Sequence, residues 1–142
     1  MKTGRTPAGL ETHASTEPSE DQLLKVVTEA AWGKKARDIL AMDVRKHTLY
    51  SDFILICSGT SDRHVRAIHQ GIQDATREAQ LPSPSTEGED HNRWVLMDYG
   101  HLVVHVFFEQ VRDVYELERL WADAPRIPLE LREDPSESDG WE

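Results

Sequence analysis

Apolar side chains recur along this chain in two rhythms, one helical and one strand-like. Leu23, Val26, Val27, Ala30 and Ala31 fall at three- and four-residue intervals, the stripe of a helix with one buried face. Ser19 followed by Gln22 makes a capping box ahead of it, with Glu20 and Asp21 at the positive end of the helix dipole. Gly33 closes the helix, and Lys34-Lys35 suit its negative end. Ala36 to Ile39 predicts a further turn, then Leu40 to Val44 a strand, with Lys46-His47-Thr48 turning into the next one. Phe53-Ile54-Leu55-Ile56 is a short apolar run bounded by polar residues, which predicts a buried strand. It enters Ser58-Gly59-Thr60-Ser61-Asp62, and beyond the N-cap residue Ser61 a second stripe begins at Val65, Ile68, Ile72, Ala75 and Ala79. This strand–tight loop–helix unit is the centre of the chain.

Gln80 to Asn92 holds Pro82, Pro84, Gly88 and several acids, which predicts an exposed loop. Trp94–Tyr99 and Leu102–Phe108 then read as a hairpin turning at Tyr99-Gly100. A two-residue turn there sets Asp98 against His101, Leu96 against Val103 and Trp94 against His105. Alternation gathers those six on one side of the sheet. The other side carries Val95, Met97, Leu102, Val104, Val106 and Phe108, an unbroken apolar set that predicts the core. A last helix is expected over Val111–Trp121, with Val114, Leu117, Leu120 and Trp121 turned inward and Pro125 and Pro128 ending it. The fold class is α/β: a single domain with a mixed sheet of about five strands, one of them short or not identified in the sequence, and helices packed against it.

The 142 residues suffice for one domain with a real core. Residues 1–18 are polar and lack large apolar side chains, which predicts a disordered arm; 19–128 form the domain; 129–142 read as an acidic disordered tail. A formal charge of −10 opposes direct sequence-specific binding of nucleic acid and favours a basic protein partner. A single cysteine, Cys57, excludes an intramolecular disulfide framework. No apolar run approaches a membrane span, the N-terminus lacks the apolar region of a secretory signal, and its acids oppose an organellar transit peptide. The expected location is cytoplasmic.

Candidate chemistry is sparse. Gly, Thr and Ser at the helix start after Ser58 could cradle a phosphate, but the P-loop lysine is missing and Asp62 would repel the anion. A capped strand-to-helix connection explains the same residues. Cys57 ends a core strand, where a thiol behaves as a small hydrophobe, and Ser58 lacks a nucleophile elbow. His101 and His105 stand roughly 13 Å apart on a strand, too far to share a metal ion. No metal and no cofactor is expected. Trp94 and Tyr99 carry the sharper reading, because these residue types dominate protein interfaces. Leu96, Asp98, Gly100 and His101 accompany them, and Glu87, Glu89 and Asp90 form an acidic rim suited to a basic partner.

Four segments in order, KKARDILAMDV, DFILICSGTSDRHVRAI, WVLMDYGHLVVHVF and RDVYELERLWADA, resemble the ribosomal silencing factor family, also called Iojap-related. The resemblance spans roughly Leu23 to Ile127. It implies a nucleotidyltransferase-like topology, yet the closely spaced strand carboxylates of those enzymes are absent here. It further implies no catalysis. The implied function is translational repression under nutrient limitation, by binding the large ribosomal subunit through universal large-subunit protein fourteen and blocking the small subunit. Homodimers are also implied. Trp94, Leu96, Asp98 and Tyr99 would form the contact, with Gly100 shaping the hairpin. Where the family commonly reads Asp-Tyr-Gly-Asp, this chain has His101. Two other classes stay open: a nucleotide-binding or nucleotidyltransferase-like enzyme using Ser58–Asp62, and an adaptor that never meets ribosomes.

Overall fold

The computed structural model describes residues 21–48, 50–129 and 131. The predicted arm over 1–18, and most of the predicted tail, lie outside the described residues. In chain order the elements are α1 (Gln22–Gly33), β1 (Arg37–Asp43), β2 (Phe53–Gly59), α2 (Asp62–Glu78), β3 (Ser85–Glu87), β4 (Trp94–Asp98), β5 (Leu102–Phe108), α3 (Glu109–Tyr115) and α4 (Leu117–Leu120). The five strands form one mixed sheet in the order β1-β2-β5-β4-β3. Among the described residues only β2 and β5 run parallel, from Phe53 beside Leu102 to Gly59 beside Phe108. All seven residues of β2 are buried, as a parallel strand covered on both faces requires.

Helices α1 and α2 cover one face of the sheet. Leu23, Leu24, Val27 and Ala31 meet Val65, Ile68 and Ile72 and, beneath them, Leu55, Cys57, Val95, Met97, Leu102, Val104 and Val106. The second face is covered in part. Met42, Val44, Ile54, Ile56, Phe107 and Ala124 are buried there, with Val111, Leu117 and Trp121 packed against them from the C-terminal segment. Leu129, one residue beyond the expected domain limit, also packs against the first cluster.

Several sequence expectations need correction. Ser19 lies outside the described residues, and the residue that caps α1 is Asp21, whose Oδ1 accepts from the Leu24 amide at 2.9 Å. The expected turn over Ala36–Ile39 is the start of β1 instead, and the pairing with β2 slips between Arg37 and Leu40 where Asp38 sits at φ 51°. The loop from Gln80 to Asn92 contains β3, a three-residue edge strand paired antiparallel to β4. Ser-Thr-Glu carries no apolar alternation, so no periodicity could reveal it.

The hairpin register also differs. Tyr99 N–H donates to Leu102 O at 2.9 Å, so the turn is Gly100-His101, with Gly100 at φ +97°. Trp94 therefore faces Phe107, Leu96 faces His105 and Asp98 faces Val103. Each partner moves by two positions, and a two-residue step preserves which face every side chain occupies. The division into core side and outer side thus survives the slip for the strand residues, while His101 leaves the outer side for the turn. The single last helix is two short ones, broken at Glu116 in the left-handed conformation, φ 50° and ψ 48°. The break re-aims the second half and leaves Leu120 exposed; Val114, in the first half, is exposed as well rather than inward.

Gly88, at φ +89° in the β3–β4 turn, would place a Cβ 2.1 Å from the Trp94 carbonyl oxygen. Gly88→Ala should therefore destabilise by about 2 kcal/mol or more, through strain and overlap together. Gly33→Ala, with nothing within 4 Å of its Cβ, should cost nothing. Urea denaturation of the two variants beside wild type measures the contrast.

Candidate protein-interaction face

The open part of the sheet lies on the side away from α1 and α2, over β3, β4 and the first half of β5. Alternation places Ser85, Glu87, Leu96, Asp98 and Val103 there, and all are exposed or half-buried. Glu87 sits directly across from Leu96, and Ser85 across from Asp98. The Asp98 Oδ1 accepts from the Gly100 amide at 2.8 Å, which shapes the turn and holds the carboxylate at the rim.

Trp94 stands where the open face meets the covered one. Its ring stacks on Phe107 with centroids 4.9 Å apart and tilts against Tyr115 at 4.7 Å. Its Nε1–H donates to His105 Nδ1 at 3.1 Å. Burial pushes the His105 imidazole down to about 4, so the ring is neutral near pH 7 and its Nδ1 is free to accept. Tyr115 remains 57 % exposed, extending the aromatic surface outward from Trp94. The sequence hid Tyr115, because an unbroken helical reading of Val111–Trp121 gives no sign of the turn at Glu116.

Not every predicted site residue joins this face. Tyr99 alternates with Asp98 onto the helix-covered side, where it is buried and its hydroxyl meets Thr76 Oγ1 at 3.0 Å. His101 in the turn donates from Nε2 to Asp21 Oδ2 at 2.8 Å, so one carboxylate caps α1 and ties down the hairpin tip. A carboxylate at 101 would face Asp21 with like charge. Glu87 lies on the face itself, whereas Glu89 and Asp90 are exposed in the turn near its Trp94 end.

The Ser58–Asp62 loop is closed by its own side chains. Thr60 N–H donates to His64 Nδ1 at 2.9 Å, and His64 Nε2–H donates to Lys34 O at 2.8 Å. Ser61 Oγ accepts from His64 N–H, Asp62 Oδ1 from Arg63 N–H, and Ser61 O from Val65 N–H. Four of the amides at this helix start, those of Thr60, Arg63, His64 and Val65, thus bond within the chain rather than pointing at a ligand. A Cβ at Gly59 would come within 2.9 Å of Val65 N, so the glycine serves the close approach of strand and helix. Burial pushes the Cys57 thiol up to about 12, which leaves it unreactive. Ser58 Oγ accepts from Arg112 Nη1 at 2.9 Å, and the same nitrogen donates to Asp38 O while Nε donates to Glu118. The buried Arg112 guanidinium thus pins α3 and α4 to the ends of β1 and β2. Among the described residues no three His, Cys, Asp or Glu side chains gather to hold a metal ion.

His105 gives a pH signature. Its folded value, about 4, lies below the 6.5 of a free imidazole, so the unfolded chain takes up the proton first. Its contribution to stability is complete above pH 6.5 and is lost as pH falls toward 4. Between pH 7 and pH 5 the chain should lose about 2 kcal/mol through this group. His105→Phe should lose less over the same interval, which urea denaturation at the two pH values measures.

Comparison with known proteins adds independent findings. The profile of the family described as "ribosomal silencing factor during starvation" matches residues 16–142. The chain is 43% identical over 113 residues to the ribosomal silencing factor RsfS of Bacillus subtilis, covering 80% of this chain and 96% of that protein. It is 30% identical over 120 residues to the mouse protein named mitochondrial assembly of ribosomal large subunit protein 1, covering 82% of this chain and 51% of the mouse protein. A crystal structure of a Chromobacterium violaceum protein superposes with a TM-score of 0.69 at 35% identity, over 71% of this chain and 84% of that one. A Bacillus halodurans crystal structure gives 0.68 at 37% identity, over 76% and 98%.

Proposed function

The chain belongs to the ribosomal silencing factor family, and on that premise we propose that it represses translation by occupying the large ribosomal subunit. In this reading it binds universal large-subunit protein fourteen and sterically blocks joining of the small subunit when nutrients are scarce. It works in the cytoplasm, uses no cofactor and catalyses no reaction. The observation that carries the reading is the half-covered sheet. Trp94 is held in place at its border, Leu96 and Val103 offer apolar contact, and Asp98 and Glu87 supply negative charge beside them. A pre-set aromatic anchor with an acidic rim fits a basic ribosomal protein, since rim charges steer encounter and buried anchors supply affinity. The same face suits self-association, so a homodimer would compete with the ribosome for it.

Against the enzyme alternative, the amides of Thr60, Arg63 and His64 at the loop bond to His64, Asp62 and Ser61 side chains, which leaves fewer donors for a phosphate. The relatives' names describe silencing, a regulatory role.

Sedimentation with separated ribosomal subunits tests the proposal. Wild type should travel with the large subunit alone and lower the yield of joined ribosomes. Trp94→Ala should weaken association by about tenfold or more, as removal of an anchor does, and Asp98→Lys should weaken it chiefly by slowing encounter, as reversal of a rim charge does. Wild type remaining at the top of the gradient would overturn the reading.

A further inference from the structure

We infer that His105 is a positioning residue for the interaction face: its Nδ1 accepts the Trp94 indole N–H and fixes how that ring is presented to a partner. The inference rests on the reading above and adds a residue that is itself only 7% exposed. Two apolar contacts alone would leave the indole freedom to slide or flip in its plane. Phe107 lies beneath the ring and Tyr115 beside it, and neither distinguishes one edge of the indole from the other. The hydrogen bond does, because only Nε1 carries a proton to donate. Trp94 pairs across the ladder with Phe107, so the bond to His105 is diagonal and draws the indole along β5. Since Nδ1 accepts, the imidazole proton sits on Nε2. The absence of charge that this needs agrees with the downward push of burial on the ring. An indole fixed before contact loses less conformational freedom on binding than a mobile one.

Substitution separates this role from mere packing. His105→Phe keeps a flat ring of similar size and removes the acceptor. His105→Asn removes the ring and returns a carbonyl oxygen near the former Nδ1. Trp94→Phe keeps an aromatic ring and removes the donor. The full chain, labelled with ¹⁵N, would be followed at the Trp94 indole N–H resonance, assigned by its loss in Trp94→Phe. Affinity for purified large subunits would be measured in parallel. His105→Phe should shift that resonance, speed its exchange with solvent and weaken subunit binding roughly two- to tenfold, the range of one hydrogen bond. His105→Asn should recover binding relative to His105→Phe despite a lower melting temperature. In the Trp94→Phe background His105→Phe should change binding no further. An unmoved indole resonance with wild-type binding in His105→Phe would overturn the inference. So would losses in the Phe and Asn variants that simply track their melting temperatures. If wild type fails to bind the subunit, the functional reading falls while the resonance still decides whether His105 orients Trp94.

Discussion

The parallel pairing of β2 with β5 is the constraint from which the rest of this structure follows. Two parallel neighbours cannot be joined by a tight turn, so the chain must leave β2, cross a face of the sheet and return. It crosses as α2, then adds β3 and β4 beyond β5 before entering β5 from the far side. The close Gly59–Val65 approach and the side-chain-capped start of α2 make that departure tight. A strand buried along its whole length also needs cover on both faces. Helices α1 and α2 supply one cover in full. The short α3 and α4, with the segment through Ala124, supply the other only over β1, β2 and the end of β5. What they leave bare is the outer face of the β3–β4–β5 ribbon, and there the acidic, aromatic surface lies.

Two polar anchors set the limits of that bare face. At one end the buried Arg112 guanidinium, bonded to Ser58, Asp38 and Glu118, holds α3 and α4 against the strand ends. Burial alone would raise the Glu118 carboxyl, but hydrogen bonds from its own amide and from Arg112, with the Arg112 charge, hold it below the usual range. At the other end Asp21 joins the start of α1 to the hairpin tip through His101. His101 is thus matched to Asp21, a carboxylate 80 positions earlier.

Much of this was legible in the sequence because burial imprints a period. The two helical stripes, the run Phe53–Ile56 and the alternation through Val104 and Val106 each announced an element, and the apolar set on the hairpin named the core side. The core face remained correct although the hairpin register was two positions out, since alternation records faces and not partners. What left no imprint was decided by backbone and by long-range contact. Ser85–Glu87 pairs with β4 without an apolar alternation to announce it, and the left-handed turn at Glu116 follows from no local signal. Tyr99 looked like a surface anchor because its residue type suits interfaces, but the turn begins one residue later and sends it inward to Thr76. Trp94, Leu96 and Asp98 were readable as one face; the neutral histidine that holds the tryptophan became visible only in three dimensions.

The central claim is that the bare ribbon face, and not the loop that opens α2, meets the ribosome. Site-specific photo-crosslinking tests it most directly. A photoreactive residue at exposed Ser85, across the ladder from Asp98, would be compared with one at exposed Arg63 in the first turn of α2. The account predicts that the probe at 85 captures a protein of the large subunit and the probe at 63 captures none. Capture at 63 with none at 85 would contradict it.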